Sequence, residues 1–167
     1  MALLNVLHFP NPRLRLKAEP VEKITPEIHQ ILDDMLETMY ADRGVGLAAI
    51  QVNIQKRLIV MDISDDYNEP RCFINPEIIS TEGSTSFEEG CLSVPGIYDK
   101  VTRPEKVVFK YLDKNNKSHT ETAEGLFADC IQHEIDHLNG KLFIDYLSPL
   151  KQSRIQQKLK KQERHRL

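Results

Sequence analysis

The hydrophobic period changes twice along this 167-residue chain, and those changes constrain the fold more than any other feature. Ile28, Ile31, Leu32, Met35, Leu36 and Met39 recur at helical spacing. Thr25 can cap that helix, Pro26 suits its first turn and Gly44 can end it. From Lys56 the pattern becomes β-rich: residues 56–63, 71–80 and 106–113 are apolar or β-branched runs punctuated by Pro, Gly and Asn. Asn115-Asn116 reads as a hairpin turn into a strand over 117–123. A second helix is predicted over 124–138, stopped by Asn139-Gly140, and a polar, basic one over 149–167. Helices at both ends with strands between predict an α+β fold: mixed or antiparallel sheets around the helix of 124–138, with an N-terminal and a C-terminal helix. Residues 1–150 form the main domain and residues 151–167 a basic helical extension of it.

Hydrophobic residues make up 40% of the chain and charged residues 28%, the balance of a soluble globular protein. The longest apolar runs, such as LIVM at 58–61, are far too short to span a bilayer, so no membrane association is expected. The first residues lack both a leading charged region and a small-residue cleavage site, which argues against a signal peptide. Three cysteines, Cys72, Cys91 and Cys130, argue against a disulfide framework and for a reducing compartment such as the cytoplasm.

The most specific chemical signal is His133-Glu134-Ile135-Asp136-His137. Residues four apart on a helix share a face, so His133 and His137 can bind one metal ion. Glu134 is offset in angle and can reach an attacking water without becoming a ligand. A catalytic site needs a third protein ligand. Metalloproteases with an extended motif take a third histidine where this chain has Phe143, and the one Glu after the motif, Glu163, lies in the basic tail. Cys91 is the better donor, held in the Gly- and Pro-bounded segment Glu88-Glu89-Gly90-Cys91-Leu92-Ser93-Val94-Pro95-Gly96. A third unusual segment is Gly44-Val45-Gly46-Leu47-Ala48-Ala49-Ile50-Gln51, where glycines permit close approach of a ligand and Gln51 offers a hydrogen-bonding amide. It lacks the spacing of a dinucleotide site, and a simple helix-to-loop cap would explain it equally.

Together GVGLAAIQ (44–51), EGCLS (89–93) and QHEIDH (132–137) resemble the three signature motifs of the peptide deformylases, in order and at the right spacing. The resemblance extends to residues 8–15 and 140–151 and so covers nearly the whole chain. It implies hydrolytic removal of the formyl group from the N-terminal formyl-methionine of nascent polypeptides, with release of formate. It implies one divalent metal ion on Cys91, His133 and His137, Fe²⁺ in the cell, with Zn²⁺ or Ni²⁺ able to substitute. By the same resemblance Glu134 is general base and acid, Gln51 and the Leu92 backbone N–H stabilise the oxyanion, and Gly46 holds the neighbouring loop. Val45, Gly90, Leu126 and Cys130 are the candidates for binding substrate, with core packing an equal reading of Leu126. A monomer is expected.

Further expectations concern charge. Residues 151–167 hold seven Lys or Arg against Glu163, a charge of +6 that leaves −9 on residues 1–150 within a total of −3. An anionic partner for the tail follows; the resemblance makes it the ribosome near the nascent-chain exit, with Ile155 and Leu159 turned to the domain. Arg103 is expected to pair with Glu89 or Asp136 and so to steady the metal ligands. Asp129 stands where the resemblance leads one to expect an apolar residue. An unpaired buried carboxylate is costly, so it is expected at the pocket rim, wet or paired with a cation, with an ordinary surface position an equal reading. Two rival readings are a zinc endopeptidase, disfavoured by Phe143, and a non-enzymatic RNA-binding module, which leaves all three motifs unexplained.

Overall fold

A computed structural model describes residues 2–166, and side chains through residue 162. The first helix, α1 (Pro26–Ala41), starts as expected: the Thr25 side chain accepts from the Ile28 N–H and Pro26 opens the first turn. Its end differs from the expectation. Arg43, at φ 57°, takes the left-handed position, and the Gly44 N–H then closes on the Met39 carbonyl at 2.9 Å.

Five strands, β1 (Gly46–Ala48), β2 (Leu58–Met61), β3 (Arg71–Glu82), β6 (Lys106–Leu112) and β7 (Ser118–Glu124), form an antiparallel sheet in the order β1-β2-β3-β6-β7. The sheet is buried on both faces where β2 crosses it. Ile59 and Met61 join the core beneath α2 (Gly125–Leu138), while Leu58 and Val60 join the core beneath α1. That alternation is why LIVM reads as a continuous apolar run. Pro76 interrupts β3; there the register to β6 shifts, as a residue without an N–H requires. Asn75, at φ 53°, turns its amide to both backbone groups of Val21.

Strands β4 (Thr85–Cys91) and β5 (Val94–Arg103) form a separate antiparallel hairpin turning at Leu92-Ser93. The Gly- and Pro-bounded segment is therefore the tip of a hairpin. A third core lies behind it, where Val94, Ile97 and Val101 meet Leu142, Phe143, Ile144 and Leu147. The last helix, α3 (Pro149–Arg166), closes this core with Ile155 and Leu159 and leaves Lys151, Arg154, Lys158, Lys160 and Lys161 exposed. No helix among the described residues is long and apolar enough to cross a membrane.

Candidate metal and catalytic site

Three segments far apart in sequence meet where α2 passes β1 and the β4–β5 hairpin. Helix α2 brings His133 and His137 one turn apart, with their Nε2 atoms 3.2 Å from each other. The hairpin tip brings Cys91 Sγ to 3.3 Å from His137 Nε2, and all three ligand atoms lie within 4.8 Å of one another. A tetrahedral cation with ordinary bond lengths needs N···N separations of about 3.3 Å and N···S of about 3.6 Å. The observed spacing therefore fits one cation shared by a thiolate and two imidazoles. Burial alone would lower His133, yet the Cys91, Glu134 and Glu89 contacts hold it well above its ordinary value. His137 is pushed well below it by burial and by the neighbouring His133.

Gln51 sits in a short 3₁₀ turn, Ala49–Val52, directly after β1. Its Oε1 accepts from the Ala48 N–H at 2.9 Å, which fixes the amide's orientation. Nε2 is thereby aimed at the hairpin tip, 3.0 Å from Ser93 Oγ and 3.4 Å from Cys91 Sγ. Leu92 occupies the tip itself, its side chain anchored in the core under α1, close to Gly44. Glu134 is buried, and its Oε1 has no hydrogen-bond partner among the described residues. Burial pushes its carboxyl up to about 7. Gly46 explains how that side chain fits: a Cβ there would lie 2.6 Å from Glu134 Oε2. The requirement for glycine on β1 is thus space for a carboxylate.

Behind the ligands lies a buried charge network. Glu89 accepts from His133 Nδ1 at 2.9 Å, and from Arg103 Nε and Nη2 at 2.6 and 2.9 Å. Arg103 also donates to Asp136 at 2.8 Å, and Asp136 accepts from the Tyr146 hydroxyl at 2.7 Å. Arg103 pairs with both of its candidate partners, and through Glu89 it reaches the ring of His133. Burial would raise Glu89, but the bonds from Arg103, His133 and Asp129 hold it well below the usual carboxylate range. The role of Glu89 toward His133 was missed in the sequence, since only the β4–α2 crossing brings them together.

Asp129 departs from the expectation of a wet rim and comes closer to the alternative, a carboxyl beside a cation. It is buried, beside Glu89, and its Oδ1 lies 3.7 Å from Arg103 Nε, beyond hydrogen-bonding distance. Burial and the neighbouring Glu89 raise its carboxyl to about 8. The carboxyl is therefore mainly protonated at neutral pH and shares a hydrogen bond with Glu89, which offsets the desolvation that argued against burial.

A cavity of 530 Å³ opens beside Cys91, His133 and Glu134. Val45, Gly46, Gln51, Gly90, Leu92, Leu126, Asp129 and Cys130 all line it. Leu126 is 47% exposed, which decides against its reading as core. A Cβ at Gly90 would meet the ring of Tyr98 at 2.4 Å, so the exposed tyrosine would have to swing aside. Tyr98, exposed at the cavity mouth, was not singled out in the sequence, where it looked like an ordinary surface residue between Gly96 and Asp99.

Comparisons with known proteins agree with this geometry. The family model described as polypeptide deformylase matches residues 3–153. A peptide deformylase of Pseudomonas aeruginosa is 59% identical over 98% of both chains, and one of Chromobacterium violaceum 56% identical over the full length of both. The crystal structure of a peptide deformylase from Legionella pneumophila superposes with a TM-score of 0.94 at 51% identity, covering 98% of this chain and 97% of that one. The Ehrlichia chaffeensis enzyme in complex with actinonin gives 0.94 at 43% identity, covering 98% and 99%. With three signature segments converging on one thiolate–imidazole site and relatives alike from end to end, the chain belongs to the polypeptide deformylase family of hydrolases.

Proposed function

We propose that this chain hydrolyses the formyl group from the N-terminal formyl-methionine of nascent polypeptides and releases formate, using one divalent cation held by Cys91, His133 and His137. The observation that carries the reading is the convergence of those three ligand atoms within 4.8 Å, beside a buried carboxylate and an oriented amide. When bound, a divalent cation supplies Lewis acidity that makes water a nucleophile near neutral pH. A cation held there would also favour the ionised form of Glu134, the form that accepts a proton.

Glu134 takes the proton from the water that attacks the formyl carbon and returns it to the departing amine. Gln51 Nε2, held by Ala48 through Oε1, and the Leu92 backbone N–H donate to the oxyanion of the tetrahedral intermediate. Preorganised donors of this kind contribute about 3–4 kcal/mol each to the transition state. Gly46 leaves Glu134 the room it needs. Val45, Leu126, Cys130 and the edge of His133 form the slot for the methionine side chain, and Gly90 with Tyr98 borders the path of the following residues.

Fe²⁺ is the proposed cation in the cell, with Zn²⁺ or Ni²⁺ able to replace it, since a thiolate with two imidazoles suits all three. We assign residues 1–150 to catalysis, with α3 as an extension of the same domain. Its exposed cations serve to dock a cytoplasmic, monomeric enzyme on the ribosome near the emerging chain. The test is formate release from a formyl-Met peptide by anaerobically prepared protein, with metal content measured alongside. Turnover should track bound metal at one ion per chain, and turnover independent of metal would overturn the reading.

A further inference from the structure

On α2, Asp129 lies three residues after Leu126 and four before His133, and all three line the cavity together with Cys130. Its neighbours on this wall present apolar surface or a ring edge, whereas Asp129 presents a carboxyl. The side chain is 8% exposed, and apart from the acid–acid bond to Glu89 no N–H or hydroxyl among the described residues donates to its carboxyl. The cation 3.7 Å away does not satisfy it, because Arg103 directs Nε and Nη2 to Glu89 and Nη1 to Asp136. A carboxyl that donates to Glu89 keeps its own acceptor capacity, and a ligand that brings a donor into the slot can use it.

The geometry points to Asp129 as a specificity-determining residue of the side-chain slot, one that admits substrates or inhibitors whose first side chain carries a hydrogen-bond donor or a cation. Glu134 beside it adds to the attraction for a cation, while Glu89 behind it is paired with Arg103; Arg43, exposed at the cavity edge, and a cation held by Cys91, His133 and His137 are the opposing charges. Arg103, neutralised by Glu89 and Asp136, opposes it less. An entering cation also favours the ionised form of Asp129.

This inference rests on the deformylase reading and on the slot assigned above. It is tested with two formyl-dipeptides that differ only in the first residue, norleucine or ornithine. The two side chains are nearly isosteric, an ammonium replacing the terminal methyl. The quantity read is the ratio of kcat/KM for the ornithine substrate to that for norleucine. Asp129→Leu should lower this ratio about tenfold or more, the range for loss of a charge-assisted hydrogen bond. Asp129→Asn, which keeps the shape and can still bond Glu89, should lower it by less, and it carries the test if Asp129→Leu does not fold. A residue that merely supports Glu89 and Arg103 would change both rates alike, so an unchanged ratio in the folded variants overturns the inference. Failure of the wild-type protein to hydrolyse either substrate would instead overturn the deformylase reading on which it rests.

Discussion

Replacing Gly46 by alanine tests whether the position of Glu134 is as tight as the structure makes it. Gly46 lies in a strand, where alanine is conformationally acceptable, so the perturbation is steric rather than torsional. The new methyl would stand 2.6 Å from Oε2, 3.1 Å from Cδ and 3.2 Å from Cγ of Glu134. Three consecutive atoms are crowded, so rotating the carboxylate tip does not relieve the contact. Restoring a normal separation of about 3.5 Å requires Oε2 to move by roughly 0.9 Å. Misplacement on the order of 1 Å at a reacting group costs about 10²-fold in rate, a barrier increase of about 2.7 kcal/mol. The assay is the kcat for formate release, with metal content and thermal stability measured on the same preparation. The expected outcome is that loss in kcat with one metal per chain retained. A kcat within about threefold of wild type, a barrier change of less than about 0.7 kcal/mol, would refute the steric argument, and so would loss of the metal itself.

Other perturbations read other parts of the account. Arg103→Ala leaves Glu89 buried without its two guanidinium bonds; breaking such a pair costs about 3–5 kcal/mol, and loosening His133 should weaken metal binding about tenfold or more. Unchanged melting temperature and metal affinity would contradict the network. For Asp62, burial would raise the carboxyl, but bonds from Ser64, Tyr40 and Glu69 outweigh it and hold it below the ordinary 3.8. Its contribution to stability is therefore complete above that value and lost as pH falls through the lower folded-state value. Asp62→Asn should flatten the acid side of the melting-temperature profile, and parallel profiles would refute this. Reversing the exposed Lys158, Lys160 and Lys161 to glutamate should reduce salt-sensitive co-sedimentation with ribosomes while leaving hydrolysis of a short formyl-Met peptide intact. Equal binding would remove the docking role. Charge reversal is preferable to truncation because Ile155 and Leu159 seal the core behind β5.

Elements with a strong period and clear caps were legible in the sequence. Helices α1 and α2, the β6–β7 hairpin and the double-sided strand LIVM follow from spacing alone. The β4–β5 hairpin was not legible, because its residues are largely polar or Gly and Pro, and just Val94, Ile97 and Val101 of β5 are buried apolar. Cys91, His133 and His137 could be named as partners because each belongs to an unusual local pattern. Glu89 and Tyr98 could not be assigned toward His133 and Gly90, since those contacts depend on how the hairpin crosses α2. Asp129 was placed at the rim by considering the cost of burying it alone. Its neighbour Glu89, which shares a hydrogen bond with it, changes that balance and is invisible at the level of helix spacing.

The central claim is that Glu134 moves the proton at a site whose cation is held by other residues. Glu134→Gln tests it most directly, because the amide is nearly isosteric and cannot accept a proton. Metal content and formate release should be measured on the same anaerobic preparation. The account predicts one metal per chain, as in the wild type, with kcat reduced by about 10²–10⁴-fold or more. A variant that keeps its metal and turns over at close to the wild-type rate would contradict it.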